Sequence, residues 1–175
     1  KIWNPLTGAC VQTLKGHSEW VTSVTMLYDR STNGRLSRAL CGADENGAVD
    51  DGCRAFVVSC SALRTHRHSV TASKRRSRRT QPVYTIKIWN PLTGACVQTL
   101  KGHSKWVNSV TVLYDRSTSG RLSRALCGAG EDGAGDDGCR AFVVSGSLDE
   151  TINIWDPLTG ACVQTLKGHS KWVNS

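Results

Sequence analysis

The clearest signal of the fold lies in one stretch near the end of the chain. Residues 145–170 read SGSLDETINIWDPLTGACVQTLKGHS. Within it, residues 151–155 alternate polar and large apolar side chains, which is the period of a β-strand. Pro157 and Gly160 interrupt this pattern, and residues 161–166 then predict a second strand. The stretch therefore predicts two short strands joined by a tight turn and followed by Gly168-His169.

Two more strands precede this stretch. Residues 106–113, WVNSVTVL, alternate large apolar and small polar side chains. Residues 141–145, AFVVS, are short, apolar and β-branched, as is typical of a buried strand. Four short strands joined by turns predict one antiparallel sheet, and no stretch shows sustained helical periodicity. The sequence thus predicts an all-β protein.

The same pattern recurs along the chain. KIWNPLTGACVQTLKGHS occupies residues 1–18 and again 87–104, and a third copy begins at Asn153. Aligned with a shift of 86 positions, residues 1–59 and 87–145 are identical at 52 of 59 positions. Near-identical repeats predict near-identical structural units, stacked so that each buries the apolar face of its neighbour.

The recurring elements resemble those of the WD-repeat β-propeller family. These elements are the Gly-His pairs at 16–17, 102–103 and 168–169, the segment 145–156, and the Leu-Thr-Gly turn after each Ile-Trp pair. The resemblance implies a fragment of a β-propeller built from four-stranded antiparallel blades. Propellers of this family need at least four blades, so about ten strands are too few to close a ring. The remaining blades would come from a longer chain or from self-association.

The resemblance also implies a structural hydrogen-bond network within each unit. In the complete unit its members would be His103, Ser145, Asp149 and Trp155. The first unit retains His17, Ser59 and Trp89, but no Asp follows at the matching spacing, so we expect this unit to be less stable. Ser, His and Asp together also suggest a hydrolase, yet nothing in the sequence indicates an oxyanion hole or substrate cleft. We therefore expect no enzymatic activity and no catalytic residues.

The pattern divides the chain into three parts. Residues 1–59 hold a partial blade and the first half of the next repeat, with a loop insert at 30–52. Residues 62–84 form a basic insert of low complexity. Residues 85–175 hold one complete repeat, with an insert at 116–138, and the start of another. Both loop inserts begin basic and end acidic and Gly-rich, which predicts solvated loops. Leu122, Ala125 and Leu126, however, are spaced for one helical turn.

The basic insert carries most of the net charge of +8. Its candidate basic patch consists of Lys74, Arg75, Arg76, Arg78 and Arg79. Three interpretations stand: a disordered solvated loop, translated non-coding or frame-shifted sequence, or a nuclear-localisation or nucleic-acid-contacting run. The last would make the protein nuclear or nucleic-acid-associated through residues 64–79. Interleaved aromatic side chains, which would indicate base stacking, are missing.

The cysteines and the lengths of the apolar runs bear on metal binding, cellular compartment and membrane insertion. The eight cysteines follow the repeat and form no CxxC pair, and the acidic inserts lack the ligand spacing of a calcium loop, so we expect no metal and no cofactor. Reduced thiols are the expected state, although a Cys127–Cys139 disulfide is an alternative. This favours an intracellular protein, cytoplasmic rather than nuclear. No apolar run approaches the roughly 18 residues that span a bilayer, so no membrane partner is predicted.

A Trp follows each Gly-His pair after two residues, which leaves two interpretations. These side chains either pack between neighbouring sheets or form an exposed face that binds a partner. The candidate partner-binding face consists of Trp20, Trp106, Trp172, Lys105 and Lys171. The leading functional hypothesis is a non-enzymatic scaffold that binds other proteins or peptides.

Overall fold

The computed structural model describes residues 1–30, 34–41, 54–62, 84–115 and 141–174. These residues form ten β-strands and one α-helix. In chain order the elements are β1 (Ile2–Trp3), β2 (Cys10–Gln12), β3 (Trp20–Tyr28), α1 (Arg35–Cys41), β4 (Ala55–Ala62), β5 (Thr85–Trp89), β6 (Cys96–Lys101), β7 (Val107–Tyr114), β8 (Ala141–Ser147), β9 (Thr151–Trp155) and β10 (Cys162–Lys167). No helix within the described ranges is long and apolar enough to cross a bilayer.

The ten strands form three antiparallel sheets. Strands β1 and β2 pair with each other, β3 to β6 form one four-stranded sheet, and β7 to β10 form another, each in chain order. The predicted all-β architecture, with two complete four-stranded blades, a partial blade and no closed ring, is confirmed. Strand β4 continues through Ala62, which pairs with Trp20, so the sheet includes the first residue assigned to the basic insert.

The two complete sheets share one register because their sequences are nearly identical. In β3 the pairing with β4 slips between Val21 and Ser23, and in β7 the pairing with β8 slips between Val107 and Ser109. The second strand of each sheet has apolar side chains on both faces, and Phe56, Val57 and Val58 are all buried. A strand buried on both faces needs a neighbouring layer on each side. The sheets are therefore stacked.

The stack places β7 against β3 and β4. Equivalent ends of β3 and β7 lie together: the Thr22 hydroxyl donates to the Val107 carbonyl at 2.8 Å, and the Tyr114 hydroxyl accepts from the Tyr28 amide at 2.8 Å. The two strands therefore run side by side in the same direction. The core lies between the sheets, where Phe56, Val58 and Ile88 of one meet Val107, Val110, Val143 and Trp155 of the other.

The first loop insert is partly helical, which corrects the expectation of a solvated loop. Helix α1 lies inside the insert at 30–52, and its Leu36 is only 8% exposed and joins the core. The buried Asp29 carboxylate, at the end of β3, accepts a hydrogen bond from the Ser37 amide at 2.7 Å. A carboxylate at the first turn of a helix accepts a hydrogen bond from an otherwise unpaired N–H group, and its negative charge interacts favourably with the positive end of the helix dipole. The helical spacing noted at Leu122 occurs here at the equivalent positions of the first copy, while the insert at 116–138 lies outside the described residues.

Candidate functional site

The complete unit brings the four predicted network residues together. His103 follows β6, Ser145 lies in β8, Asp149 lies in the turn after β8, and Trp155 ends β9. The His103 Nδ1 atom is 2.9 Å from Asp149 Oδ2, and His103 Nε2 is 2.8 Å from Ser145 Oγ. The Trp155 indole N–H donates to the same Ser145 oxygen at 2.8 Å. The turn and the three strands thus meet at one imidazole ring.

One tautomer of His103 satisfies the whole chain of hydrogen bonds. Trp155 donates to the Ser145 oxygen, the Ser145 hydroxyl donates to Nε2, and the Nδ1–H group donates to Asp149. Ser145 is 1% exposed and His103 is 8% exposed. Buried polar groups are stabilising only when their partners are present, and here each has one.

Asp149 anchors the network from the turn. Its carboxylate accepts hydrogen bonds from the Thr151 hydroxyl at 2.6 Å, the Thr151 amide at 3.1 Å and the Ser104 amide at 2.9 Å. Burial by itself raises the pKa of Asp149. The hydrogen bonds from Thr151, His103 and Ser104 outweigh that effect and lower its pKa to about 2. Asp149 therefore remains ionised at neutral pH and ties the turn to the preceding Gly-His connection.

The arrangement resembles a catalytic triad in composition but differs in access. A nucleophilic serine must reach a substrate carbonyl beside oxyanion donors. The Ser145 oxygen is instead buried beneath the sheet stack and already accepts the Trp155 indole hydrogen. With the fold intact, this geometry supports packing and rigidity rather than attack on a substrate.

The first unit forms only part of the network. His17 Nε2 is 2.8 Å from Ser59 Oγ, which also accepts from the Trp89 indole at 2.8 Å. His17 Nδ1 is buried and has no hydrogen-bond partner among the described residues. Burial, and then the nearby positive charge of Lys87, lower the pKa of His17. The position equivalent to Asp149 falls at the basic insert, so the carboxylate that completes the other unit is missing.

One set of contacts that the sequence did not predict joins one sheet to the next. The first two Gly-His connections each lie against a Trp of the following sheet: a Cβ placed on Gly16 would be 3.0 Å from Trp89 Cη2, and one on Gly102 would be 2.9 Å from Trp155 Cη2. These glycines leave room for the indole rings. The available signal was that Gly and Trp recur together in every copy.

Comparison with known proteins agrees with this architecture. The family model described as "WD domain, G-beta repeat" matches residues 8–67 and 94–156. The chain belongs to the WD40 repeat family. The suspected family is thereby confirmed, and the WD40 blades of this chain are the stacked sheets described above.

The WD40 chain also resembles longer curated proteins over its full length. It is 37% identical over 234 residues to the nuclear distribution protein PAC1 of Coccidioides posadasii, covering 100% of this chain and 47% of that protein. It is 27% identical over 198 residues to PAC1 of Gibberella zeae, covering 38% of that protein. It is 26% identical over 180 residues to the nuclear distribution protein nudF of Aspergillus niger, covering 99% of this chain and 34% of that protein. The chain thus spans between about a third and a half of these relatives.

The candidate partner-binding face has a mixed exposure in the WD40 chain. Trp20 is 59% exposed and Trp172 is 65% exposed, whereas Trp106 is half-buried. The ammonium-bearing side chains of Lys105 and Lys171 are both exposed. The described sheets therefore leave more than half of the Trp20 and Trp172 surfaces uncovered. We call the three tryptophans Trp20, Trp106 and Trp172 the tryptophan row.

The row lies at one end of the blade stack. Strands β3 and β7 run side by side in the same direction, so their first residues are at the same end. Val173, next to Trp172, donates its amide hydrogen to the Ser147 carbonyl at 3.1 Å. Ser147 in turn pairs with Val107, at the start of β7. Ala62 pairs with Trp20 and therefore also lies at this end.

Other sequence-predicted sites fall outside the described residues. The candidate basic patch of Lys74, Arg75, Arg76, Arg78 and Arg79 is among them, as are Cys127 and Cys139. Within the described ranges the cysteines are free thiols, namely Cys10, Cys41, Cys60, Cys96 and Cys162. Burial raises the pKa of the Cys60 thiol. In the same ranges no three His, Cys, Asp or Glu side chains converge as metal ligands.

Proposed function

We propose that this WD40 chain is a non-enzymatic scaffold that binds other proteins at the end of the blade stack that carries the tryptophan row. The observation that carries the proposal is the exposure of Trp20 and Trp172, 59% and 65%, at the same end of the blade stack. Large aromatic side chains at a surface supply much of the binding energy of protein interfaces. Two such anchors on a rigid sheet stack offer a preorganised contact surface.

Charge around the row indicates the chemistry of the partner. Lys105 and Lys171 each immediately precede a tryptophan of the row and are exposed. At both positions an aromatic and a cationic residue are therefore neighbours along the chain. We expect the partner to be a protein segment that offers apolar side chains and carboxylates, because opposite charges at a rim raise the rate and specificity of association.

The network residues support the non-enzymatic part of the proposal. Hydrogen bonds inside the fold already join His103 to Asp149 and Ser145, and Ser145 to Trp155. A group that already has its partners inside the fold gains little from binding a substrate. We therefore expect the network to set blade rigidity, while recognition belongs to the exposed tryptophans.

The relatives suggest where such a scaffold would act. Their names place them in nuclear distribution, and this chain resembles them over its whole length. We propose that it takes part in the same process, as an intracellular and mainly cytoplasmic protein. The free thiols in the described ranges are compatible with a reducing compartment.

Affinity capture with matched variants tests the proposal. The double variant Trp20→Ala/Trp172→Ala removes two row side chains, and Leu92→Ala removes an apolar side chain of similar exposure, 55%, from the β5–β6 turn. We expect a defined set of proteins to be retained by the wild type and by Leu92→Ala but lost by the double variant. An unchanged set of captured proteins in the double variant would contradict the proposal.

A further inference from the structure

The complete unit shows how this fold holds a carboxylate. His103 Nδ1 and the Ser104 amide each lie 2.9 Å from Asp149 Oδ2. The Thr151 hydroxyl and amide lie 2.6 Å and 3.1 Å from the other oxygen, Oδ1. Two donors on each of two oxygens is an arrangement that suits a carboxylate group. We call this set of four donors, and the equivalent set in the first unit, the carboxylate cradle.

The first unit keeps the donor positions of the cradle. Its members are His17, Ser18 and Thr85, which align with His103, Ser104 and Thr151. Each imidazole has its Nε2 atom 2.8 Å from a serine oxygen, and each lies against the tryptophan of the third strand, with ring centroids 5.7 Å apart in the first unit and 5.9 Å in the complete one. The two threonines begin the third strands of their sheets and share one register. The same geometry is therefore built twice.

The first unit lacks the carboxylate that this geometry holds in the complete unit. The residue two positions after Ser61 is Leu63, where the complete unit has Asp149. The basic insert, residues 62–84, contains no Asp and no Glu, so it cannot supply a carboxylate. His17 Nδ1 is buried and has no hydrogen-bond partner among the described residues. Because a buried polar atom without a partner costs free energy, an acceptor at this position would be stabilising.

The tautomer of His17 makes Nδ1 a donor. The Trp89 indole N–H donates to the Ser59 oxygen, and the Ser59 hydroxyl then donates to His17 Nε2, as in the complete unit. A neutral imidazole that accepts at Nε2 carries its hydrogen on Nδ1. Burial, and then the positive charge of Lys87, lower the pKa of His17 and so favour this neutral form. The cradle therefore directs an N–H group at the place where Asp149 lies in the other unit.

The charge around the first cradle also favours an anion. Lys87 takes the place of Asn153, and each pairs with the serine of the network across the neighbouring strand. In the complete unit the Asn153 side-chain nitrogen reaches to 3.4 Å from His103 Nδ1. The first unit thus has a cation in place of a neutral amide and lacks the negative charge of Asp149. It is two charges more positive than the complete unit at the same place.

The first cradle borders the surface. His17 is half-buried, whereas His103 is 8% exposed, and Ser18 beside it is exposed. Even in the complete unit the Asp149 side chain keeps 9% of its surface accessible. A small group that enters beside Ser18 therefore has a short path to the donors.

We propose that the first unit binds a carboxylate group from outside the chain in this cradle. The His17 Nδ1–H group and the Ser18 amide donate to one oxygen, and the Thr85 hydroxyl and amide donate to the other. The carboxylate has two possible sources, a small organic anion or the acidic side chain of a partner protein. The inference does not rest on the proposed function, because none of these donors belongs to the tryptophan row.

Thermal unfolding with sodium formate as the probe tests the proposal. Relative to sodium chloride at the same ionic strength, formate should raise the Tm of the wild type in a saturable way, by about 3 °C at about tenfold excess over its Kd. Thr85→Val removes one donor at nearly constant volume and should weaken formate binding by about tenfold. Thr151→Val is the matched control, and it should leave the affinity for formate unchanged because Asp149 already fills the other cradle. The variant Trp20→Ala/Trp172→Ala should keep the full response, so this test and the capture test fail independently.

Amide proton–nitrogen NMR spectra locate the binding. Formate should move the Ser18 resonance and leave that of Ser104 in place, since the two amides differ in whether a carboxylate of the chain already accepts from them. A chain in which Leu-Asp-Glu replaces residues 62–84 carries its own carboxylate and should lose the response. A Leu-Gly-Glu replacement has the same length without that carboxylate and should keep it.

A second probe distinguishes the two sources of the carboxylate. In N-acetyl-aspartyl-N-methylamide the only carboxylate is an Asp side chain. Binding at least as tight as that of formate supports the cradle as a site for a partner's acidic side chain, and binding of formate alone supports it as a site for a small anion. Formate that acts no better than chloride, equal movement of Ser18 and Ser104, or a Leu-Asp-Glu chain that still responds would overturn the proposal.

Discussion

The incomplete network of the first unit offers a direct test of the energetic role of Asp149. Replacing residues 62–84 by Leu-Asp-Glu, the residues found at 148–150, would place a carboxylate at the position equivalent to Asp149. His17 Nδ1, which is buried without a partner among the described residues, would then have an acceptor. We expect the grafted chain to be more stable than the wild type.

Two physical effects contribute to that gain. Satisfying a buried N–H group with a carboxylate is worth about 1–3 kcal/mol. Shortening the connection from 23 residues to three lowers the entropic cost of closing the loop by about 1.8 kcal/mol, because that cost grows with the logarithm of loop length. A second graft, Leu-Asn-Glu, has the same length but no charge, so the difference between the two grafts isolates the carboxylate.

Thermal unfolding followed by circular dichroism measures both grafts. For a chain of this size, each kcal/mol corresponds to about 2–4 °C in Tm. We expect the Asp graft to exceed the Asn graft by about 1–2 kcal/mol near pH 7. Equal Tm values for the two grafts would refute the reasoning that His17 lacks a carboxylate partner, and would leave loop length as the whole effect.

The histidine also predicts how the wild type responds to pH. Because the folded-state pKa of His17 is lowered, the unfolded chain binds more protons below the ordinary pKa of 6.5. This contribution to stability is complete above pH 6.5 and is lost as the pH falls through the folded-state pKa. Urea unfolding at pH 7.5 and at pH 5.5 should show a drop that the variant His17→Gln lacks, and an identical drop in both chains would contradict the assignment.

Asp149 of the complete network, Gly102 and Leu36 of α1 each supply a further test. The pKa of Asp149 is lowered to about 2 from an ordinary 3.8, so its contribution to stability is present above pH 3.8 and is lost as the pH falls towards 2. Asp149→Asn should therefore cost about 1–2 kcal/mol at pH 7 and should reduce the fall in Tm at acid pH. An equally steep fall in Tm in the variant would argue against this role. Gly102→Ala should cost about 1–3 kcal/mol in urea unfolding, because its Cβ would lie 2.9 Å from Trp155 Cη2, and a neutral effect would show that the ring can shift. Leu36→Ala should cost about 2–4 kcal/mol, whereas Ala39→Ser on the exposed side of α1 should be nearly neutral; similar losses would place Leu36 outside the core.

The strands could be placed from sequence because their signals are local and repeated. Residues 151–155 alternate with the period of a strand, and the structure pairs them as β9. Three copies of one pattern also imply that equivalent residues have equivalent neighbours. His103 and Asp149, which lie 46 residues apart, could be linked only because the motif as a whole resembled a known family.

Helix α1 and the exposure of the tryptophans could not be decided in the same way. The spacing of Leu36 and Leu40 fits a helical turn, but a single turn is unstable unless it can bury an apolar side chain. Whether Leu36 reaches the core depends on the path of the chain after β3 and on the Asp29 carboxylate. Trp20 and Trp106 occupy the same position in the repeat, yet one is exposed and the other half-buried.

The antiparallel strands and their repetition follow from the amino-acid sequence, because alternation and repeat are properties of neighbouring positions along the chain. The residues of the network were implied by the resemblance to a known family. Which copies of a repeated residue are covered depends on how the sheets pack in three dimensions. Trp3, Trp89 and Trp155 share one position in the repeat, but Trp3 is 55% exposed while the other two are 1% exposed. Burial depends on the sheet stacked alongside, and among the described residues a neighbouring blade lies against Trp89 and Trp155 but not against Trp3.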